Sequence, residues 1–341
     1  MQTQYGLLTF TLALSCAVGL SACAKKNAAS NGGSASDTTS RGDTAAASTD
    51  SGAQPTEEVS APTDAPISAP PQTGLLALFD AHAHLMPTWP EDTLANLLAD
   101  HEPDHIVLLG VTNVLSEQET YPVQVIAFSN FKEVDNINLN KLKSELEQGA
   151  RGIGEVSIRH FAAGPPPAEA DEHDFNAPEL LAVYDLARAY QVPVNFHFDY
   201  HPDHVGEILS TMPDYADVTF IWAHAGDAQP EDLMPLLDLL PNLYLDISCR
   251  NPLKSFEGRL LSLEEQRLDE ADGTLKAAWR TLFETYSDRV MYGSDIGPNG
   301  RLEQYAEIQD YYRTILAQLS PDIAEQIAHK NAQSIFPDPG Q

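Results

Sequence analysis

Short apolar runs rich in Val, Ile, Leu and Phe recur along the chain from residue 77 onward. Between them, apolar positions return at helical spacing. The runs at 77–85, 105–111, 123–129, 152–158, 192–198, 218–224, 243–248 and 290–295 predict eight strands. The stretches 139–149, 178–190, 230–240, 274–286 and 302–319 predict helices; the links after strands two and three are less sharply patterned. Strands alternating with helices over a segment of this length form the pattern of a TIM-like (β/α)8 barrel, an α/β fold. A doubly wound open sheet is the alternative. It is disfavoured because no Gly-rich phosphate loop follows the first strand.

The pattern fails before residue 75. Residues 6–20 are mostly apolar, a run too short to span a bilayer as a helix, and it ends in Leu20-Ser21-Ala22-Cys23. An apolar run closed by small residues reads as an export signal over residues 1–22, although no Lys or Arg precedes Leu7. Its end resembles the lipobox of bacterial lipoproteins. That resemblance implies cleavage before Cys23 and acylation of this residue, and several acyl chains would hold the chain firmly at a membrane. Ala24, which follows the cysteine, points to an outer membrane with the protein facing the periplasm. Residues 23–74 are dominated by Ala, Ser, Thr, Gly, Asp and Pro, too little apolar surface to offset the entropy of ordering. They are expected to tether a domain at 75–341, stiffened near Pro62, Pro66, Pro70 and Pro71.

Cysteine usage and charge narrow the picture. Cys16 would leave with the signal and Cys23 would be acylated, so Cys249 alone stays in the domain and no internal disulfide can form. The formal net charge is −31. Such a surface repels nucleic-acid phosphates and anionic lipid heads, so a nucleic-acid partner is excluded and a small-molecule partner is expected. The plainest meaning of the charge is solubility.

The candidate chemistry lies at strand ends. The first strand closes with Asp80-Ala81-His82-Ala83-His84. Residues two apart on a strand face the same way, about 6.6–6.8 Å apart, so His82 and His84 can converge on one metal. Asp80 shares their parity and is expected to orient a ligand from behind. Four further strand ends carry metal-competent side chains: Glu155 on strand four, His197 on strand five, His224 on strand six and Asp295 on strand eight. One such residue in an apolar run is more often a satisfied core group than a ligand. All of them in this order are hard to explain as core polarity.

As a set, Asp80-x-His82-x-His84, Glu155, His197, His224 and Gly293-Ser294-Asp295 resembles the amidohydrolase superfamily, and most closely its amidohydrolase-related members. Gly152-Ile153-Gly154-Glu155 is also similar to TatD-like metal hydrolases. The resemblance implies that His82, His84 and Asp295 hold one metal, joined by His197 in a one-metal site. In a two-metal site it implies that Glu155 bridges and that His197 and His224 hold the second ion. Many relatives bridge with a carboxylated lysine on strand four; this chain has none there. Histidine and carboxylate ligands suit one or two Zn²⁺ ions, with Mn²⁺ or Fe²⁺ also compatible. Asp295 is the expected general base, and His224 the acid–base group if a single metal binds.

Lesser claims follow from position. Arg159 after strand four and Arg250 after strand seven could pair with a substrate carboxylate. Asp199, His201, Asp203 and His204 are expected in a solvated loop, and Trp89, Tyr200 and Trp222 either wall the pocket or pack in the core. The function expected is hydrolysis of a small amide, ester or lactone by metal-activated water. A metal-dependent decarboxylase and a non-catalytic binding lipoprotein are the alternatives. Glu155 tilts the choice to hydrolysis, because a bridged pair of ions is built to activate water.

Overall fold

The computed structural model describes residues 75–101, 103–110, 113–131, 133–160, 172–253, 264–297 and 301–337. The expected signal segment, Cys23 and the tether lie outside the described residues.

Eight parallel strands alternate with helices. The order is β1 (Phe79–His84), α1 (Thr93–His101), β2 (His105–Leu109), α2 (Val114–Thr120), β3 (Val125–Phe128), α3 (Leu139–Glu147), β4 (Ile153–Arg159) and α4 (Pro178–Tyr190). There follow β5 (Val194–Phe198), α5 (Val205–Thr211), β6 (Phe220–Trp222), α6 (Pro230–Leu239), β7 (Leu243–Asp246), α7 (Ala277–Thr285), β8 (Val290–Met291), α8 (Tyr305–Leu316), α9 (Pro321–Glu325) and α10 (Asn331–Ile335). Strands β1 to β3 pair in sequence order, as do β4 to β8. The ring closes at two places. Ser129 bridges Ile153 between the β3 and β4 ends, and Ala83 bridges Ile296 beyond β8. The second closure is reinforced where Ala81 N donates to Tyr292 O at 3.0 Å and Asp295 N to His82 O at 2.7 Å. The TIM-like (β/α)8 barrel expected from the alternation is therefore the fold. Among the described residues no helix is long and apolar enough to cross a membrane.

Strand alternation sorts the side chains into two layers. Outward residues such as Ile106, Leu108, Val156, Phe196, Phe198, Phe220, Trp222 and Leu245 pack beneath the helices. Inward residues at the lower end, Phe79, Ala81, Val107, Ile126, Ile221 and Met291, form a separate apolar cluster plugged by Phe336. The upper end, where the strands finish, is left for polar groups.

Two irregularities decide which side chains reach that end. In β1 the register to β2 slips between Asp80 and Ala83, so Asp80 pairs with Ile106 whereas His84 pairs with Leu109. Ile106 and Leu109 are three apart and face opposite sides, so Asp80 does not share the face of His84 as parity alone implies. In β4 the register slips on either side of Val156–Ser157, and Arg159 comes to pair with the outward Phe198. A one-residue bulge turns a side chain to the other face.

Other boundaries also differ from expectation. Strand β6 ends at Trp222 because His224, Ala225 and Gly226 take left-handed backbone angles. Strand β3 begins at Val125, not 123, and Val123 is exposed. Helices α1 and α5, unmarked by the sequence pattern, are nine and seven residues long.

Candidate active site

The upper end of the barrel gathers His82, His84, Glu155, His197, His224 and Asp295. His82 Nε2 and His84 Nε2 stand 3.1 Å apart. Asp295 Oδ1 is 3.1 Å from His84 Nε2 and 3.6 Å from His82 Nε2. Glu155 divides its two oxygens. Oε2 lies 3.3 Å from His84 Nε2 and 3.7 Å from His82 Nε2, while Oε1 lies 2.9 Å from His197 Nδ1 and 3.5 Å from His224 Nε2. Nitrogen and oxygen donors of His82, His84 and Asp295 fall within 4.8 Å of one another, as do those of His82, Glu155 and His224.

Local backbone explains how these groups meet. His224 and Asp295 have φ of 56° and 52°. Non-glycine residues rarely adopt the left-handed region, and those that do concentrate at functional sites. Gly293, in Gly-Ser-Asp, lies where a Cβ would come within 2.9 Å of His82 Cβ and 3.3 Å of Asp246 Oδ1. Its missing side chain lets β8 close against β1. Asp80 braces that junction, accepting from His82 N at 3.2 Å and Ser294 N at 2.9 Å. It fixes the two backbones and does not orient an imidazole. Its burial raises the Asp80 carboxyl to about 6, against the pull of those hydrogen bonds.

Among the described residues, each of these imidazoles but His84 is held from behind. His82 Nδ1 donates to Asp246 Oδ2 at 2.8 Å. His224 Nδ1 donates to Ser248 Oγ at 2.7 Å, and that hydroxyl donates onward to Asp246 Oδ1. His197 Nε2 donates to Asp199 Oδ1 at 2.9 Å. These contacts turn the lone pairs of His82 Nε2, His224 Nε2 and His197 Nδ1 towards Glu155 and Asp295. Such a set of lone pairs and carboxylate oxygens crowded into one buried space requires cations, and the donor set fits a divalent metal. Without one, protons take that role. Burial works against charge on His82 and His197, but Asp246 and Glu155 beside the first, and Asp199 and Glu155 beside the second, raise each to about 10. Burial lowers His84 and His224, and Glu155 stays well below its ordinary range because His82, His197 and His224 outweigh its desolvation.

Asp246, Ser248 and Asp199 were not singled out as site residues by sequence reasoning. A signal existed for two of them. Asp246 closes an apolar strand, and Asp199 shares strand parity with His197. Asp199 is only 7% exposed and not part of a solvated loop.

Arg159 and Arg250 are not brought to the site. The β4 bulge turns Arg159 outward, where its Nη2 donates to His173 O at 3.1 Å and its guanidinium lies 5.5 Å from the Phe198 ring. Arg250 is fully buried. Its Nε and Nη2 donate to the carbonyls of His224 and Ala225 at 2.8 and 3.2 Å, and its Nη1 to Gln266 O at 3.0 Å. It props the turn that carries His224 and has no free face for a ligand. Among the described residues, the cation that does reach the site is Arg301, whose Nη1 donates to the carboxylate of Asp295 and to its carbonyl at 2.9 Å. Trp222 is core, stacked on Phe196, whereas Trp89 lines a cleft just beyond β1 with Leu85, Met86 and Leu94.

The sequence pattern of the amidohydrolase family matches residues 139–337, more than half of the chain and all of the strands from β4 onward. The chain belongs to the amidohydrolase family. No curated protein matches it. Among solved structures, this amidohydrolase is similar to an Acinetobacter baumannii protein described as a probable 2-pyrone-4,6-dicarboxylic acid hydrolase. The two share 16% identity over 76% of this chain and 98% of that one, with a TM-score of 0.53. A Pseudomonas putida protein of the same description shares 17% identity over 78% and 99%, with a TM-score of 0.52. An uncharacterized TIM-barrel protein from Bordetella bronchiseptica shares 16% over 74% and 84%, at 0.53. At such identities the likeness is one of fold.

Proposed function

We propose that this chain is a metal-dependent hydrolase that cleaves a small amide, ester or lactone. The observation that carries the reading is Glu155, whose two carboxylate oxygens face different histidine pairs, His82 with His84 and His197 with His224. That division suits a carboxylate shared between two ions. His82, His84 and Asp295 would hold one, and His197 and His224 the other, with Zn²⁺ the first candidate. Bound there, a divalent ion would lower the pKa of water towards about 7 and polarise a carbonyl.

The chain's own groups supply the proton handling. Asp295 Oδ1 faces His84 and His82, while Oδ2 faces Cys249 and lies 3.9 Å from His224 Nε2. Asp295 is the group that accepts a proton from water and returns it to the leaving group. With a single ion bound, His224, fixed by Ser248 with its lone pair inward, would be free to exchange that proton. Gram-negative export and anchoring through Cys23, facing the periplasm from an outer membrane, belong to the same proposal and are supported by the Leu20-Ser21-Ala22-Cys23 run.

The test joins elemental analysis of the metal-reconstituted full chain with a screen of lactones, esters, amides and aromatic carboxylic acids. About two equivalents of transition metal and turnover of a hydrolysable substrate are expected, and Glu155→Gln should lower occupancy towards one ion. Less than about half an equivalent of any such metal would sink the reading. Carbon dioxide release from an aromatic acid, without hydrolysis of any substrate, would replace it with decarboxylation.

A further inference from the structure

Cys249 stands among these donors without a role in the reading above. It lies three residues beyond the end of β7, is 7% exposed, and its thiol donates to Asp295 Oδ2 at 2.8 Å. Its Sγ, a His224 ring nitrogen and an Asp295 oxygen all fall within 4.8 Å of one another. These three residues come from three different strand ends, and all have left-handed backbone, with φ of 56° at His224, 59° at Cys249 and 52° at Asp295.

A second observation points to a ligand at the same place. His224 is 7% exposed and anchored through Nδ1 to Ser248 at 2.7 Å. Among the described residues, its Nε2 has carboxylate oxygens at 3.5 and 3.9 Å. With Nδ1–H given to Ser248, this nitrogen turns its lone pair towards those carboxylate oxygens in the space that Cys249 and Asp295 also face, and a lone pair among anions calls for a cation. A thiol is a weak hydrogen-bond donor, so steadying Asp295 is a task a serine hydroxyl would do better. What sulfur adds is soft ligation as the thiolate.

We propose that Cys249 is a further metal ligand of this site, adding a sulfur to the donor set between His224 and Asp295. The inference rests on the metal-dependent reading and deepens it, because it sets the choice of ion. A thiolate ligand selects Zn²⁺ or Co²⁺ over Mn²⁺. As the ion binds, the S–H bond breaks, the electron pair stays on sulfur to form the metal bond, and the proton leaves to solvent. Nothing is oxidised or reduced.

Cobalt loading of the full chain tests this without reference to activity. The unaltered chain should show a near-ultraviolet sulfur-to-cobalt charge-transfer band beside the visible cobalt bands. Cys249→Ser should keep the visible bands, lose the charge-transfer band, and release one proton fewer per ion bound. Its preference for Zn²⁺ over Mn²⁺ should fall by about tenfold or more. If that variant does not fold, X-ray absorption of the zinc-loaded unaltered chain decides, by the presence of sulfur at about 2.3 Å. Visible bands without charge transfer in the unaltered chain overturn Cys249 ligation and leave the metal reading standing. A band unchanged in Cys249→Ser also overturns it, placing the sulfur on Cys16 or Cys23. Failure to bind cobalt at all overturns both.

Discussion

Asp246 accepts the Nδ1–H of His82 at 2.8 Å, and the same carboxylate reaches His224 through the Ser248 hydroxyl. One fully buried group therefore sets the tautomer of two imidazoles on different strands. Burial alone would raise this carboxyl, but the charge and hydrogen bond of His82 hold it at about 2. In Asp246→Asn the new amide can donate to His82, which reverses the tautomer and turns an N–H into the site. Metal affinity should fall by about 10–100-fold, read by chelator competition. Affinity within twofold of the parent would show that Asp246 does not orient these ligands.

The barrel was legible because eight apolar runs recur with five helical stretches set between and after them, and the histidine pair of β1 because strand parity is a local property. The orienting partners were harder to see because they act across strands. Asp246 and His82 are 164 positions apart in the chain, and only the closed ring brings them together. The bulges were invisible for a related reason. A slip of one residue in β1 leaves the residue types untouched yet sends Asp80 to the other face, and a slip in β4 does the same to Arg159. Arg250 looked free because a residue after a strand end can serve a ligand or the loop beside it. The carbonyls it holds belong to a left-handed turn that no periodicity announces.

Gly154 sits where β4 meets β5 most closely. A Cβ there would come within 2.4 Å of Asn195 O and 2.9 Å of Asn195 Cβ, at a φ of +145°. The obstacle is the backbone of a central strand, which cannot move without shifting His197. Gly154→Ala should therefore destabilise the fold by on the order of 1–3 kcal/mol, seen as a fall of several degrees in Tm. An unchanged melting midpoint would show that the strand pair has room to relax.

Cys23→Ser tests the anchoring proposal. The altered chain should leave the membrane fraction, because the lipid would have no attachment site and a strongly acidic domain has no affinity for anionic lipid heads. Equal membrane association of the variant and the parent would rule out anchoring through this residue.

Asp295→Asn separates proton transfer from metal holding. Asn keeps a neutral oxygen to offer an ion but cannot accept a proton at neutral pH. Turnover should fall by about 10²–10⁴-fold, the usual loss for a general base, with a smaller loss of metal. The double variant His82→Ala with His84→Ala should instead lose the metal itself, since both imidazoles of β1 go together. Arg301 sharpens the comparison. It pairs with the Asp295 carboxylate, so Asp295→Asn also releases a guanidinium at the site. Arg301→Gln with Asp295 intact isolates that effect, and it should retain far more turnover than Asp295→Asn. Near-parental turnover in Asp295→Asn would strip Asp295 of the proton-transfer role. His224, whose lone pair also faces this space, would then be the leading candidate for it.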